Sequence, residues 1–467
     1  MIKQGLFSFI FLAVFSINAY AQQAKYVFYM IGDGMGINQV RLAELFHAQS
    51  GNNTPMIFST FPFVGIATTH SQSADVTDSA AAGTALATGK KTKNGTLGMD
   101  STGTIAYNSV AIAAKNKGMK VGITTSVSIN HATPAAFYAH QSGRAKGYEI
   151  ALDIIPSKFD FFGGAGFTKA DKNADGTAVT PIHNILEENG YKIAKGFNAY
   201  KEISKKSDKT ILTNPDNDMA WQLHQAIDRK DGHLTLPQIT EAAITSLSDN
   251  NKKGFFLMVE GAMIDWVGHN NDAAAMLHEV LDFNESVKLA YEFYKKHPNE
   301  TLIVVTVDHE TGGLILGNGS DTLNLNLLQA QKVSVVELSK QIVDLKKNNA
   351  IKSWEELKQF LSEKTGLWNT IKVSPTDASE LFNYYQAYFE TPDDLSKENL
   401  YNRNNIIAIK AIDIINKAAG IGWASNEHSA TPVPIFAIGV GAENFTGFMD
   451  NTDIPKKIAK AAGLEIK

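Results

Sequence analysis

The sequence contains no cysteine among its 467 residues. This absence excludes disulfides, zinc sites built on thiolates, iron–sulfur clusters and a cysteine nucleophile. A metal in this protein must therefore be held by histidine, carboxylate or hydroxyl side chains. An excess of positive charge is also missing, since 43 lysines and arginines face 48 aspartates and glutamates, a net charge of −5. That balance argues against a nucleic-acid-binding protein held by phosphate contacts.

Apolar runs of membrane length are missing as well, and the longest run lies near the N-terminus, from Leu6 to Ile17. It follows Lys3 and precedes an Ala-Tyr-Ala sequence that ends at Ala21. A positive start, a short apolar stretch and an Ala-x-Ala site predict a signal peptide, residues 1–21, that is cleaved after Ala21. The run is too short to cross a bilayer comfortably. We therefore expect a periplasmic or secreted protein with no membrane span after cleavage.

Short β-rich apolar runs alternate with helical patterns such as Asn108–Lys117 and Ala274–Lys296. The predicted strands are Tyr26–Ile31, Lys120–Val127, Gly254–Val259, Thr301–Val307 and Pro434–Val440. Apolar runs without polar alternation are typical of strands buried on both faces. The pattern predicts an α/β fold with a parallel sheet and helices on both of its faces.

Two regions break this rhythm. Thr168–Lys206 is polar and indicates a loop-rich stretch. Residues 318–423 have a helical pattern, with a capping box that begins at Ser353, an aromatic stretch Leu381–Phe389 and an isoleucine-rich run Ile406–Ile415. A connection of this length is too long for a plain loop, so we predict a helical insertion or cap.

Polar residues with metal-binding chemistry stand at or just beyond the ends of four predicted strands. They are Asp33, His131, Thr133, Glu260, Asp308 and His309. Ligands of open α/β sheets bind beyond the carboxyl ends of the strands. Each residue alone also suits a helix cap or a surface turn. Together they place like charges at one edge, which is costly without a cation, and so they predict a metal cluster.

A second set has the spacing of a zinc site. Asp265 and His269 are four residues apart and share a face if their turn is helical, and His428 precedes the last predicted strand. The alternative is a solvated Asp/His pair without a metal. Imidazole with carboxylate favours zinc, whereas ligation by oxygen alone favours magnesium.

Ser79 is the candidate nucleophile. It begins an alanine-rich stretch, and we expect it at the N-cap of a helix, where free amides favour a bound anion. A plain N-cap serine is the alternative interpretation. A neighbouring metal would favour the nucleophile, because coordination lowers the pKa of a hydroxyl.

These motifs occur in the order seen in metal-dependent alkaline phosphatases, and the sequence resembles bacterial members of that family over about Lys25–Gly317 and Trp423–Val440. The motifs are Ile-Gly-Asp33-Gly-Met-Gly, Val-Thr-Asp78-Ser79-Ala-Ala, His131-Ala-Thr133-Pro-Ala-Ala, Val-Glu260-Gly-Ala-Met-Ile-Asp265, Val-Asp308-His309 and the single residues His269 and His428. The resemblance implies a three-layer α/β/α sandwich with a mostly parallel central sheet. It also implies one phosphatase domain over residues 22–467, two zinc ions, one magnesium ion and a homodimer.

The resemblance implies roles residue by residue. Asp265, His269 and His428 resemble the ligands of the first zinc. Asp33, Asp308, His309 and the Ser79 oxygen resemble those of the second. Asp33, Thr133 and Glu260 resemble the magnesium ligands, and Arg144 resembles the arginine that clamps phosphate, with Asp78 as its orienting partner. His131 and Trp266 stand where other members carry different pairs, so they are expected to position substrate, and His131 could instead bring a third zinc.

The resemblance implies a phosphomonoesterase that forms a phosphoserine intermediate. A phosphodiesterase or sulfatase of the same superfamily is the nearest alternative, although the arginine and the third metal site favour a phosphate dianion. A metal- or phosphate-binding protein without activity, or an assembly protein based on the insertion, are alternatives of other classes.

Overall fold

The computed structural model describes residues 22–51, 54–203, 208–215, 219–319, 321–391 and 395–466. The predicted signal peptide, residues 1–21, lies outside the described residues. Among these residues no helix is both long enough and apolar enough to span a membrane.

The strands follow the chain in short segments. They are β1 (Tyr26–Ile31), β2 (Phe63–Thr68), β3 (Lys120–Thr125), β4 (Phe161–Gly163), β5 (Lys192–Lys195), β6 (Thr210–Thr213), β7 (Phe255–Glu260), β8 (Thr301–Thr306), β9 (Glu310–Thr311), β10 (Leu314–Leu316), β11 (Ser396–Glu398), β12 (Arg403–Asn405), β13 (Ile421–Trp423), β14 (His428–Ser429), β15 (Val433–Gly439) and β16 (Gly447–Asp450). Ten of them form the central sheet, in the order β16-β2-β15-β8-β1-β7-β3-β4-β6-β5.

The helices fill the connections between strands. They are α1 (Ile37–Gln49), α2 (Ser79–Thr88), α3 (Val110–Asn116), α4 (Ala132–Ala135), α5 (Gly147–Leu152), α6 (Ile154–Ser157), α7 (Ile182–Glu188), α8 (Phe197–Ile203), α9 (Leu236–Ser248), α10 (Met263–His269), α11 (Ala273–Lys296), α12 (Val335–Lys347), α13 (Trp354–Thr365), α14 (Pro375–Phe389), α15 (Ile406–Ala419) and α16 (Asp453–Ala462). Short 3₁₀ turns lie at Ile57–Thr60, Ala226–Asp228, Leu325–Ala330 and Ala442–Phe445.

The middle of the sheet is the apolar core. β1 pairs in parallel with β7 on one side and β8 on the other, and every residue of these three strands is buried. Because successive side chains of a strand point to opposite faces of the sheet, their complete burial requires that helices cover both faces. Helices α3 and α9 both pack against β7. The predicted α/β fold with a mostly parallel sheet is therefore confirmed.

One predicted strand runs against the others. β15 is antiparallel to both of its neighbours, β8 and β2, whereas the remaining pairs of the central sheet are parallel. The N-terminal end of β15 therefore lies at the edge where the parallel strands have their carboxyl ends.

The loop-rich prediction for Thr168–Lys206 is wrong in part, because α7, β5 and α8 lie within it. β5 has the sequence Lys-Ile-Ala-Lys and is the last strand of the sheet. A short strand with lysines at both ends carries little hydrophobic pattern, which is why the sequence did not reveal it.

Residues 318–423, called the helical segment below, contain α12 to α15 as the sequence predicted. Ser353 caps α13 by accepting from the Glu356 amide, but the Glu356 carboxylate accepts from the Lys352 amide and not from that of Ser353. The helical segment also contains an antiparallel hairpin, β11–β12, that the sequence did not predict.

Candidate metal centre and active site

The sheet brings the predicted acidic residues to one edge. Asp33 follows β1, Glu260 is the last residue of β7, and Asp308 and His309 follow β8. β1 lies between the other two strands, so their carboxyl ends are adjacent. All four side chains are fully buried. The predicted convergence of these residues is present in the structure.

A glycine turn lets α10 approach this edge. Gly34 has a φ of +73°, and a Cβ built there would lie 2.7 Å from the Asp265 Cα. Only glycine fits such a close approach in this backbone conformation. Asp265 and His269 lie on α10, so the expected helical turn is present.

His428 lies just before β15, the strand that runs antiparallel to its neighbours. It lies in β14, five residues before the first residue of β15, whose reversed direction brings this end to the same sheet edge. A two-residue ladder pairs His428 with Thr311. The rings of His428 and His309 stack with their centroids 3.5 Å apart.

The first candidate metal group consists of Asp265, His269 and His428. His269 Nε2 lies 3.3 Å from Asp265 Oδ1 and 3.2 Å from His428 Nε2, and the remaining pair of ligand atoms is 3.5 Å apart. Four ligands placed tetrahedrally at about 2.0–2.1 Å from an ion are separated by about 3.3 Å. The spacing of the three atoms therefore fits one face of a tetrahedral site.

Backbone carbonyls fix the orientation of both rings in this group. His269 Nδ1 donates to the Asn426 carbonyl at 2.5 Å, and His428 Nδ1 donates to the Thr77 carbonyl at 2.9 Å. The proton is thereby held on Nδ1, which leaves the Nε2 lone pair for a metal.

The second candidate group consists of Asp33, Asp308 and His309. His309 Nε2 lies 3.4 Å from Asp33 Oδ1 and 3.4 Å from Asp308 Oδ2. Ser79 Oγ lies 3.3 Å from the same nitrogen. The serine oxygen thus stands at ligand spacing from this group.

The third candidate group consists of Asp33, His131 and Glu260. Thr133 lies two residues after His131 and is also fully buried, and its hydroxyl is close enough to Glu260 to act against the rise in that carboxyl's pKa. The histidine therefore joins the residues of the expected magnesium set.

The carboxylates of the second and third groups repel one another. Burial, followed by the charge of Asp308, raises the pKa of Asp33 well above its usual value. Burial raises the pKa of Asp308 to about 7, and Asp265 adds to the effect. Burial also raises the pKa of Glu260 to about 8, although the hydrogen bond from Thr125 opposes it.

Several buried carboxylate oxygens at the three candidate metal groups have no hydrogen-bond partner within the described ranges. In the part of the chain that the structure describes, both Asp33 carboxylate oxygens and one oxygen each of Glu260, Asp265 and Asp308 are buried without a hydrogen bond. Buried carboxylate oxygens are normally bonded or bound to a metal. These donors therefore fit bound cations.

The pKa of Asp265 shifts in the opposite direction to those of the other carboxylates. Burial alone would raise its pKa, but the three surrounding imidazoles outweigh burial and lower the pKa far below the usual value. Asp265 Oδ1 also accepts a hydrogen bond of 2.5 Å from Thr311. Thr311 lies two residues after His309, and no feature of the sequence predicts its contact with Asp265.

The predicted position of Ser79 as an N-cap is wrong. Asp78 is the N-cap of α2, and its Oδ1 accepts the Ala81 amide at 2.9 Å. A carboxylate competes well for this position. Ser79 is the first residue of the helix, so its hydroxyl is not used in capping and faces His309 instead.

Arg144 is held beside Ser79 by two contacts. Its Nη1 donates to Asp78 Oδ2 at 3.1 Å, and its Nη2 lies 3.1 Å from His131 Nε2. Burial, and then the charge of Arg144, lowers the pKa of His131 to about 3, so the ring is neutral and accepts the hydrogen bond. Asp78 Oδ2 also accepts the Gly95 amide at 3.0 Å.

Aromatic rings close one side of the site. Trp266 stacks between Trp221 and Tyr401, at centroid distances of 5.4 and 4.3 Å. Tyr401 also contacts the rings of His131 and His269. Tyr401 belongs to the helical segment, and its position in a polar turn gave no signal in the sequence.

Comparison with known proteins agrees with this geometry. The sequence profile of the family described as "Alkaline phosphatase" matches residues 24–157 and 171–464. The chain belongs to the alkaline phosphatase family. It is a phosphatase, and the candidate metal groups agree with the metal dependence of that family.

Individual relatives match nearly the whole chain. Alkaline phosphatase 4 of Bacillus subtilis (strain 168) is 34% identical over 447 residues, which cover 92% of this chain and 87% of the relative. The crystal structure of a cold-active alkaline phosphatase from a psychrophilic Shewanella sp. is 29% identical, with a TM-score of 0.78, over 94% of this chain and 99% of that one. A variant alkaline phosphatase of the Antarctic bacterium TAB5, solved with Mg bound in its M3 site, is 27% identical, with a TM-score of 0.66, over 95% and 99%.

Proposed function

We propose that this alkaline phosphatase hydrolyses phosphate monoesters through a phosphoserine intermediate on Ser79. The observation that carries the proposal is the position of Ser79 Oγ, 3.3 Å from His309 Nε2, in the turn that also anchors Arg144 through Asp78. Nucleophile, candidate metal ligands and phosphate clamp therefore meet at one helix N-terminus, where an anion is favoured.

The donor sets support two zinc ions and one magnesium ion. Imidazole and carboxylate in the first two groups favour zinc, whereas the carboxylates and the hydroxyl around Glu260 favour magnesium. The holding residues are Asp265, His269 and His428 for the first zinc, Asp33, Asp308, His309 and Ser79 for the second, and Asp33, Thr133 and Glu260 for magnesium. Bound cations supply Lewis-acid stabilisation of oxygen charge and lower the pKa of the hydroxyl.

Arg144 binds two non-bridging oxygens of the phosphoryl group with its planar fork. Asp78 and neutral His131 keep the guanidinium in place, and Trp266 packs beside them. The Ser79 oxygen gives up its proton to water and forms a bond with phosphorus as the bond to the leaving oxygen breaks, and the leaving alkoxide takes a proton from water. A water then attacks the phosphoserine, which releases inorganic phosphate and restores Ser79.

The activity is tested with purified protein by comparing 4-nitrophenyl phosphate with bis(4-nitrophenyl) phosphate. We expect a strong preference for the monoester, loss of activity on chelation, and recovery on adding zinc and magnesium. Preference for the diester would favour the phosphodiesterase alternative. Activity unaffected by chelator would contradict the metal assignment.

The compartment and the assembly belong to the same proposal. We infer from residues 1–21 that the protein is exported to the periplasm or beyond and cleaved after Ala21, and from the family resemblance that it forms a homodimer. N-terminal mass spectrometry of exported protein should give a chain that begins at Gln22. Light scattering should give twice the chain mass, and a monomer would contradict the second inference.

A further inference from the structure

The helical segment reaches the active site through the turn between β11 and β12. Asn399 organises this turn, since its Oδ1 accepts the amides of Tyr401 and Asn402 at 3.0 and 2.8 Å. The Asn399 Nδ2 donates to the His269 carbonyl at 3.0 Å and to Asn270 Oδ1 at 2.8 Å. One side chain therefore ties the turn to the end of α10, next to the first candidate metal group.

The turn places the Tyr401 ring among residues of the site. The ring lies nearly parallel to Trp266, with 4.3 Å between centroids and 13° between planes. It meets the His269 ring at 5.2 Å in an edge-to-face contact, and it lies 6.4 Å from the His131 ring. These contacts fix the ring, so the direction of its hydroxyl is set by the fold.

The Tyr401 hydroxyl is buried and lies near the Arg144 guanidinium, and no described residue accepts a hydrogen bond from it. Burial, followed by the charge of Asp265, raises the pKa of Tyr401 well above its usual value, whereas Arg144 opposes the shift. A buried tyrosine hydroxyl normally has a partner, because losing its bonds to water without replacement is unfavourable. Arg144 carries only donors, so the Tyr401 hydroxyl proton lacks an acceptor among the described residues beside the phosphate-clamping arginine.

We propose that Tyr401 is a further substrate-binding residue, whose hydroxyl donates a hydrogen bond to a non-bridging oxygen of the phosphoryl group held by Arg144. This inference rests on the proposed function of the same site. It gives the helical segment a direct part in the reaction, because Tyr401 belongs to that segment. The aromatic stack orients the hydroxyl, and the phosphoryl oxygen is the acceptor that its proton otherwise lacks.

The test removes only the hydroxyl. Tyr401→Phe keeps the ring and its stacking, and Tyr384→Phe is the matched control, because Tyr384 lies in α14 of the same segment and donates to Glu380 at 2.9 Å. Binding of inorganic phosphate to the full-length metal-loaded protein is measured by calorimetry, together with phosphate inhibition of 4-nitrophenyl phosphate hydrolysis. Metal content and thermal midpoint are measured for each variant.

A hydrogen bond to a charged group predicts that Tyr401→Phe weakens phosphate binding by about tenfold or more, with unchanged metal content and thermal midpoint. Tyr384→Phe should bind phosphate as the unsubstituted protein does. Phosphate affinity of Tyr401→Phe within twofold of the unsubstituted protein would overturn the inference. So would a loss matched by a fall in metal content, since the hydroxyl would then act on the metal centre. If the unsubstituted protein fails to hydrolyse the monoester, the proposed function fails separately, whatever calorimetry shows for Tyr401.

Discussion

The two parts of the metal centre solve the problem of buried charge differently. The histidine-rich part consists of Asp265, His269 and His428, and the carboxylate-rich part consists of Asp33, Glu260 and Asp308. In the first, imidazoles surround a single carboxylate and lower its pKa. In the second, carboxylates face one another and their pKa values rise. The first part is therefore balanced by its own side chains, whereas the second depends on cations or protons.

Replacing the reacting atom should give the largest effect and leave both parts intact. We expect Ser79→Ala to lower kcat for 4-nitrophenyl phosphate by about a thousandfold or more, because the nucleophile is lost. Metal content, measured by mass spectrometry of the purified protein, should remain near that of the unsubstituted enzyme. A variant that keeps most of its activity would exclude Ser79 as the nucleophile.

Replacing one carboxylate in each part should change the free energy of unfolding differently in the two parts. In chelated protein at pH 6, Asp265→Asn removes the partner of the buried imidazoles and should lower the free energy of unfolding by about 3 kcal/mol. Asp308→Asn should instead raise it, by up to about 3 kcal/mol, because a folded carboxyl with a pKa near 7 must take up a proton that the unfolded chain lacks at pH 6, whereas an amide need not. Urea unfolding measures both, and equal losses would contradict the comparison.

The carboxylate-rich part should also make the chelated protein sensitive to pH. The folded pKa values of Asp308 and Glu260, about 7 and about 8, lie above their usual values of 3.8 and 4.5, so the metal-free folded state binds more protons than the unfolded state. Stability of the chelated protein should therefore fall as pH rises from about 4 to 8, by up to about 1.4 kcal/mol per unit for each group.

Thermal melts with and without chelator across this range are the measurement. The metal-loaded protein is the control and should melt higher, with the gap between the two curves widening toward pH 8, because cations replace the protons. A gap that is constant with pH would show that the carboxylates do not titrate in this window.

The smallest effect should come from loosening the turn that carries Tyr401. Asn399→Ala removes the bonds that tie the turn to α10, and we expect KM for 4-nitrophenyl phosphate to rise a few fold, with kcat less affected. Asn326→Ala, at an exposed site elsewhere in the helical segment, is the control. A larger fall in kcat than rise in KM would place the effect in the metal centre.

The sequence predicted the parts of the site that follow from local pattern. Asp33, Glu260, Asp308 and His309 come directly at the ends of apolar strands, so the topology of a parallel sheet was enough to bring them together. Asp265 and His269 needed only a helical turn between them. The fold class followed from the same alternation of strands and helices.

The rest depends on contacts between distant segments. Tyr401 reaches His269 through a turn with no hydrophobic pattern, and its site contact is made by stacking on Trp266. Asp78 displaced Ser79 as the N-cap because two residues competed for one position, which spacing alone did not decide. The edge strand β5 was missed because lysines mask its short apolar core.

The reversed direction of β15 has a consequence for the order of folding. The contact between His269 and His428 joins residues 159 positions apart, and that between Ser79 and His309 joins residues 230 apart. Contacts of such long sequence separation close large loops and form slowly. The group of Asp265, His269 and His428 is therefore incomplete in any partly folded chain that has not yet docked β15, so full metal uptake and the appearance of activity should be late events that report completion of the fold.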